Sequence, residues 1–185
     1  MNTTSPCLID EVGELLKSSI IDVFGTMANT IARPAVLLDF RGGKERLVAG
    51  SVGFVGDVNV VIYVYVKASF ACLLACRMLG LEEAQLPEDD IVNDVVGELT
   101  NMVGGSVKSR LCDSGVACVL TIPSVVRGQY LSGGPVCSSE CRRLSILCDN
   151  EPILIEILLK AQSDRTSSIV RHIETAALAG TLNCG

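Results

Sequence analysis

The stretch "DVVGELTNMVGGSVKSR" at residues 94–110 contains the side chains best suited to chemistry in this sequence. Glu98 and Asn101 are three residues apart, a spacing that on a helix sets a carboxylate beside an amide. The pair offers no nucleophile and only a weak base. An amide can hold a water molecule by donating and accepting hydrogen bonds, and a carboxylate can pair with a lysine that another protein presents. The pair is therefore better suited to completing a partner's active site than to forming one alone.

The helix predicted to carry this pair has one apolar side and one polar side. At 100° per residue, its core stripe occupies an arc of about 140°. The residues of the stripe are Val95, Val96, Leu99, Met102, Val103 and Val107. The opposite arc, about 60° wide by the same geometry, contains Asp94, Glu98, Asn101 and Gly105, flanked by Gly97, Gly104 and Lys108.

Solvation alone does not account for the three glycines of this polar side. Each one costs roughly 1 kcal/mol relative to alanine in a helix interior. Glycine removes side-chain bulk and lets another backbone come close. The pattern therefore predicts a docking face in which Asp94, Gly97, Gly104, Gly105 and Lys108 surround the Glu98/Asn101 pair.

Composition limits the class of protein. The 185 residues are 49% hydrophobic, which suits one domain with a sizeable core. A net charge of −6 argues against a nucleic-acid or anionic-membrane partner. We see no export signal and no apolar stretch long enough to span a bilayer, so we expect a cytoplasmic protein. Nine cysteines, a single His172 and no C-x-x-C favour reduced thiols and predict no metal site.

Periodicity and turn residues predict the elements that must position the site. The predicted helices cover 8–33, where Pro34 marks the end, 67–81, where Gly80 marks the end, 88–110, and a C-terminal extension at 163–182. The predicted strands cover 35–41, 46–54, 57–66 and segments near 115–122, 125–132, 141–149 and 152–160. The predicted turns are a hairpin at 41–44, Gly56-Asp57, Gly133-Gly134 and Asp149-Asn150. The strand at 57–66 is apolar on both faces, as in a central strand that is covered on both sides.

An internal repeat relates two of the helices. "DVFGTMAN" at 22–29 aligns with "DVVGELTN" at 94–101, and both copies precede a run of strands. The order of helix and strands is therefore predicted to be duplicated, with halves at about 8–81 and 88–160. Chance similarity between amphipathic helices is the alternative.

The spacing Asp94-x3-Glu98-x2-Asn101, followed by Pro123, resembles the signature of the CheC/CheX/FliY chemotaxis phosphatases. Here 21 residues separate the Asn from the Pro, one fewer than in that signature. "LVAGSVGFVGDVNVVIYVYV" and the helix ending in "CRMLGL" are also similar to CheX. The resemblance implies an α/β fold in which long helices pack on a predominantly antiparallel sheet with pseudo-two-fold duplication.

The resemblance also implies an activity. The family dephosphorylates the aspartyl phosphate of CheY-type receiver domains, and the receiver supplies the phosphorylated Asp and the Mg²⁺. Carried onto this chain, Asn101 would orient the attacking water, Glu98 would pair with a receiver lysine, and Asp94 would support the contact. Homodimers formed through the sheets are a further feature of CheX-like proteins. The alternatives are a non-catalytic receiver-binding or flagellar-switch-type module on the same fold, and a structural oligomer with a solvated polar face.

The first copy of the repeat departs from this signature. It keeps Asp22 and Asn29 but has Thr26 at the position of the Glu. A threonine cannot form the charged pair, so the first copy is predicted to be a degenerate second site and the chain to be CheX-like with one intact site. Weak residual activity of Asn29 is the alternative.

Overall fold

The computed structural model describes residues 8–41, 43–82, 86–131 and 139–160. The turn predicted at Gly133-Gly134 and the helix predicted at 163–182 lie outside the described residues. The helices of the described part are α1 (Leu8–Met27), α2 (Ala68–Leu79) and α3 (Asp89–Asp113). Its strands are β1 (Ala32–Ala35), β2 (Leu47–Gly56), β3 (Val60–Lys67), β4 (Cys118–Leu120), β5 (Ser124–Gly128), β6 (Ser139–Cys148) and β7 (Glu151–Lys160). None of the helices in these ranges is long and apolar enough to cross a bilayer.

The seven strands form one sheet in which every pair is antiparallel. The order is β1-β6-β7-β3-β2-β4, and β5 also pairs with β2. Two hairpins, β2–β3 and β6–β7, meet at the central β3–β7 pair. Followed to β5 instead of β4, the order is β1-β6-β7-β3-β2-β5. Exchanging β1 with β5, β2 with β6 and β3 with β7 gives this same order read from the other end. The predicted α/β class with a pseudo-two-fold antiparallel sheet is confirmed.

The halves of this sheet are interlocked. β1 precedes the β2–β3 hairpin in sequence but pairs with β6, whereas β5 pairs with β2. Each outer strand therefore belongs to one half of the chain and pairs with the other. α1 and α3 contact each other and pack on the sheet, α1 mainly on β6 and α3 mainly on β2.

The hydrophobic core lies between the sheet and the helices. The central strands contribute Ile62, Val64, Ile155 and Ile157, all at most 2% exposed. β3 lies between β7 and β2, and its next residue, Tyr65, is also buried. The prediction that this strand is central is therefore confirmed, but its second face is covered only in part, because Val61 is 37% exposed and Tyr63 is half-buried.

A buried charged cluster lies apart from this core and explains one wrong prediction. Glu156 on β7 is fully buried and accepts hydrogen bonds from Arg143 Nε at 2.8 Å, Tyr65 Oη at 3.0 Å and Arg41 Nη1 at 3.1 Å. Burial alone would raise the pKa of Glu156, but these hydrogen bonds and the charge of Arg41 lower it below its ordinary value. Arg41 thus binds across the sheet to β7. The predicted hairpin at 41–44 is wrong because β1 pairs with β6 and not with β2.

The end of the first helix was also predicted wrongly. α1 ends at Met27 rather than near Pro34, and Asn29 adopts a left-handed conformation with φ 48° that the helix cannot continue through. Pro34 lies instead within the edge strand β1, where a missing backbone N–H is tolerated. The strand predicted at 35–41 is accordingly shifted to Ala32–Ala35.

Most of the other predicted elements are confirmed with small changes in their bounds. α2 ends at Leu79 and is capped by Gly80, which has a left-handed φ of 66°. Asp149 and Asn150 have φ values of 50° and 70°, as in the two-residue turn that suits a twisted hairpin. The strands at β4 and β5 are shorter than predicted, and α3 extends three residues further.

Candidate functional site

Helix α3 carries the predicted site, and its first turn is attached to the sheet. Asp89 and Asp90 place negative charge at the N-terminus, where the helix dipole favours it. Arg127 of β5 donates from Nη2 to the Asp89 carbonyl at 2.9 Å and from Nη1 to the Asp89 carboxylate at 2.5 Å. The Nε of Arg127 donates to Asn93 Oδ1 at 2.5 Å. These contacts fix where the helix begins relative to β5.

The apolar side of α3 is the one that its periodicity predicted. Val95, Val96, Leu99, Val103 and Val107 are each at most 7% exposed. Met102, the sixth member of the predicted stripe, is half-buried and packs against the same core. The orientation of the helix is therefore determined by its core stripe.

The opposite side presents the predicted polar residues. Asp94 and Glu98 are exposed, whereas Asn101, Gly105 and Lys108 are half-buried. Within the described part of the chain, no ion pair or hydrogen bond engages the side chains of Glu98 and Asn101. The carboxylate and the amide are thus not held by the described fold around them.

Two of the three glycines lie on a different side from the one predicted. Gly97 and Gly104 are buried against the sheet. A Cβ at Gly104 would lie 2.9 Å from Val52 Cγ1, and one at Gly97 would lie 3.4 Å from Val125 Cγ2. These glycines serve helix–sheet packing, which corrects the prediction that they clear space for a partner. Gly105 differs, because a Cβ there would meet nothing within 4 Å.

The residues of the first repeat copy do not form an equivalent face. Asp22 is paired with Arg110 of α3, at 3.0 Å between Oδ2 and Nη2. Thr26 donates its hydroxyl to the Asp22 carbonyl at 2.8 Å. Asn29 lies two residues beyond the end of α1, so it does not follow Thr26 by one turn of a continuous helix.

Sequence reasoning missed the contacts that join the two repeat helices. Arg110 donates to Ser18 as well as to Asp22, and the hydroxyls of Ser19 and Ser106 lie 3.0 Å apart between α1 and α3. Ser19 follows Leu16 by three residues and Ser106 follows Val103 by three, so both hydroxyls lie on the apolar sides of their helices, and a polar residue at such a position is the signal that could have identified the contact. The Arg127 contacts with the start of α3 were missed because they join residues 34 and 38 apart in the sequence.

The structure gives no cluster of metal ligands in the described ranges, where no three His, Cys, Asp or Glu side chains come together in a way that could hold an ion. None of the six cysteines in these ranges forms a disulfide. Burial raises the pKa of Cys118 to about 11 and that of Cys148 to about 12. These two thiols therefore stay protonated at neutral pH and are poor nucleophiles.

Pro123, the last residue of the predicted signature, is half-buried in the connection between β4 and β5. Leu120 precedes this connection and lies 3.4 Å from where a Cβ of Gly104 would be. Val125 follows the connection and lies 3.4 Å from where a Cβ of Gly97 would be. The signature residues of α3 and Pro123 are thus brought to the same edge of the sheet.

Comparisons with known proteins agree with this arrangement. CheX from Vibrio vulnificus is 25% identical, with a TM-score of 0.70 over 80% of this chain and 96% of that one. A CheC-like superfamily protein from Shewanella sp. PV-4 is 25% identical, with a TM-score of 0.69 over 87% of this chain and 100% of that one. The CheX–CheY–BeF3–Mg²⁺ complex from Borrelia burgdorferi matches at 19% identity and a TM-score of 0.62, over 81% and 98% of the two chains.

No curated protein matches the chain. The sequence model of the family described as "Chemotaxis phosphatase CheX" matches residues 48–142, just over half of the chain. This range includes Glu98, Asn101 and Pro123. The chain therefore belongs to the CheX family of chemotaxis phosphatases.

Proposed function

We propose that this protein removes the phosphoryl group from the aspartyl phosphate of a CheY-type receiver domain by inserting Glu98 and Asn101 into the receiver's active site. One observation carries the proposal: the carboxylate and the amide share one side of α3, and no described residue engages either side chain. Family membership supports the reaction class. The Borrelia burgdorferi structure, in which CheX is bound to CheY with BeF3 and Mg²⁺, supports a CheY-type partner.

The chemistry needs little from this chain beyond positioning. The Asn101 amide holds a water in line with the phosphorus, accepting and donating hydrogen bonds as an amide can. The water oxygen bonds to phosphorus, the bond from phosphorus to the aspartyl oxygen breaks, and inorganic phosphate and the free carboxylate result. Phosphoryl transfer is accelerated mainly by such positioning and by charge stabilisation. The receiver supplies the phosphorylated Asp and the Mg²⁺.

Glu98 and Asp94 have binding roles in this proposal. Glu98 lies one turn before Asn101 and pairs with a receiver lysine, which sets the depth at which the amide enters. Asp94 lies one turn earlier on the same side and extends the polar contact. The described fold leaves both carboxylates exposed, so neither has to be released from a buried ion pair before it binds.

The test is to mix the protein with a phosphorylated receiver from the same organism and Mg²⁺, and to follow the release of inorganic phosphate. Wild type should exceed the receiver's own decay. Glu98→Gln should lower kcat/KM roughly thirtyfold or more, because truncating one member of an interfacial charge pair costs about 2 kcal/mol or more. Glu14→Gln, which removes an exposed carboxylate from α1, is the matched control and should leave the rate unchanged.

Two outcomes would separate the alternatives. Wild type that fails to accelerate phosphate loss from any receiver of the organism contradicts the phosphatase proposal. If the same protein nevertheless binds a receiver, the non-catalytic binding module is the better description.

A further inference from the structure

Ile122 is a large apolar side chain that the described fold leaves almost wholly in solvent. It is 89% exposed and lies in the three-residue connection between β4, which ends at Leu120, and β5, which begins at Ser124. A single exposed apolar side chain needs no explanation by itself. The rigidity of its backbone and its place beside α3 are what distinguish Ile122.

The connection is held on both sides of Ile122. The Thr121 N–H donates to the Gly53 carbonyl at 2.9 Å, and the Gly53 N–H donates to Thr121 Oγ1 at 2.9 Å. After Ile122, Pro123 restricts the backbone through its ring, and the Ser124 carbonyl accepts from Ser51 Oγ at 3.4 Å. The isoleucine is therefore presented at a defined position rather than on a loose loop.

The same connection runs past α3 at the level of Asn101. Leu120, just before it, lies 3.4 Å from where a Cβ of Gly104 would be, and Val125, just after it, lies 3.4 Å from that of Gly97. Asn101 lies between the two glycines, four residues after one and three before the other. By drawing the helix close to the sheet, the glycines bring this connection beside the amide.

The position of Ile122 follows from the pairing of this segment with β2. Leu120 faces α3, because it contacts the position of a Gly104 Cβ. Thr121 lies over Gly53, with its Cγ2 3.1 Å from where a Cβ would be. Gly53 is one residue past the helix-facing Val52, so Thr121 faces the other side of the sheet. Ser124 pairs with Ser51, so Ile122 and Pro123 together lie opposite the single residue Val52, as in a β-bulge, and Ile122 is placed opposite this helix-facing residue.

We propose that Ile122 is an apolar anchor for the receiver, seated in an apolar depression of the receiver surface beside its phosphorylated Asp. The inference rests on the proposed function and adds a second kind of contact to the polar one. Apolar anchors that exclude water dominate the energy of many interfaces. Here the anchor would also shield from bulk solvent the one water that Asn101 holds.

The experiment measures binding to a CheY-type receiver of the same organism, activated with beryllofluoride and Mg²⁺, by titration calorimetry. Ile122→Ser should raise Kd roughly tenfold, the size expected for an anchor worth about 1.4 kcal/mol. Ile122→Val, which keeps an apolar branched side chain, should recover most of the affinity. Val36→Ser is the matched control, since Val36 is 87% exposed and follows β1 at the far edge of the sheet. Thermal melting should be the same for all four proteins, because neither side chain is packed.

The outcomes distinguish this inference from the proposed function. If wild type binds and dephosphorylates the receiver but Ile122→Ser has the wild-type Kd, the anchor is overturned and the phosphatase stands. A Kd raised equally by Val36→Ser also overturns it, because the loss then has no relation to the site. If wild type neither binds nor dephosphorylates any receiver, the proposed function fails and the anchor fails with it.

Discussion

Helices α1 and α3 carry the two copies of one repeat, yet only α3 keeps a face that another protein could use. In α3 the Asn of the repeat lies in mid-helix, and its Glu98 is exposed and not engaged by a described residue. In α1 the helix ends two residues before Asn29, and Asp22 is already paired with Arg110. The first copy contributes to the contact between the helices, whereas the second copy is open to a partner.

The difference teaches that the matching Asp and Asn of the first copy do not by themselves create an equivalent face. The helix must continue through the Asn, so that the carboxylate and the amide stay one turn apart on one face. The polar residues must also be left unengaged by the neighbouring helix. Four predictions test the comparison, in order of decreasing expected effect.

The largest effect is expected from Asn101→Ala. Loss of the amide that holds the attacking water should lower the rate of phosphate release about 100-fold, the usual consequence of misplaced reacting groups. Alanine is the better helix former, so the free energy of unfolding should not fall. Phosphate release from the phosphorylated receiver measures the first quantity and urea unfolding the second.

Asn29→Ala is the matched control for this prediction. Asn29 is exposed and lies beyond α1, so its loss should leave phosphate release unchanged. A large loss of activity in Asn29→Ala would show that the first copy is a working site, and the contrast between the two helices would then be wrong.

The second effect concerns the packing of α3 on the sheet. Gly104→Val places branched bulk where a Cβ alone would lie 2.9 Å from Val52, a buried and stiff side chain. The free energy of unfolding should fall by about 1–3 kcal/mol, as for other overpacked cores. Urea unfolding measures it. An unchanged value would mean that α3 can move away from β2 without loss, contrary to the close packing described.

The third effect is an increase in stability, expected from a substitution at the next residue, Gly105. Gly105→Ala adds a methyl group where nothing lies within 4 Å, so the free energy of unfolding should rise by about 0.5–1 kcal/mol. The same methyl should weaken binding to the beryllofluoride-activated receiver, because Gly105 shares the side of Asn101. Greater stability with unchanged affinity would show that this glycine lies outside the receiver contact.

The smallest effect is expected from Thr26→Glu, which restores the missing carboxylate of the first copy. In an Asn101→Ala background, Thr26→Glu should leave phosphate release at the low rate of Asn101→Ala, because Asn29 is not on the helix that would carry the new Glu. If the double variant regained phosphate release, the missing Glu would be the only difference that inactivates the first copy, and the position of Asn29 beyond the helix would be unimportant.

The sequence predicts those features of the site that depend only on local spacing. The core stripe of α3 follows from helical period, which is why Val96, Leu99 and Val103 could be identified as buried. A helical wheel gives angles within one helix but not the direction from which the sheet approaches. Gly97 and Gly104 were therefore assigned to the polar face, although the β4–β5 edge packs against them.

The pairing of the outer strands could not be predicted, because it depends on contacts between distant residues. The glycines at 41–44 are typical of a hairpin, but the segment is placed by distant contacts, from Leu38 to Ser145 and from Arg41 to Glu156. Near Ile31 the local sign that the helix has already ended is Asn29, a residue type that tolerates the left-handed conformation after a helix end. The family could be inferred from the spacing of Glu98, Asn101 and Pro123, and the match to CheX confirms it. The roles of these residues and a homodimer formed through the sheet stay predictions.

The exchange of outer strands has a consequence for how the chain reaches its final state. The Ile31 N–H donates to the Asp149 side chain, which follows it by 118 residues. β1 has no strand to pair with until β6 has been synthesised, and β2 lacks its outer partner until β5 has been synthesised. A nascent first half thus exposes unpaired backbone groups that invite pairing with another molecule. Two fragments cut between α2 and α3 would be complementary pieces that complete one sheet by associating, and neither would fold as an autonomous unit.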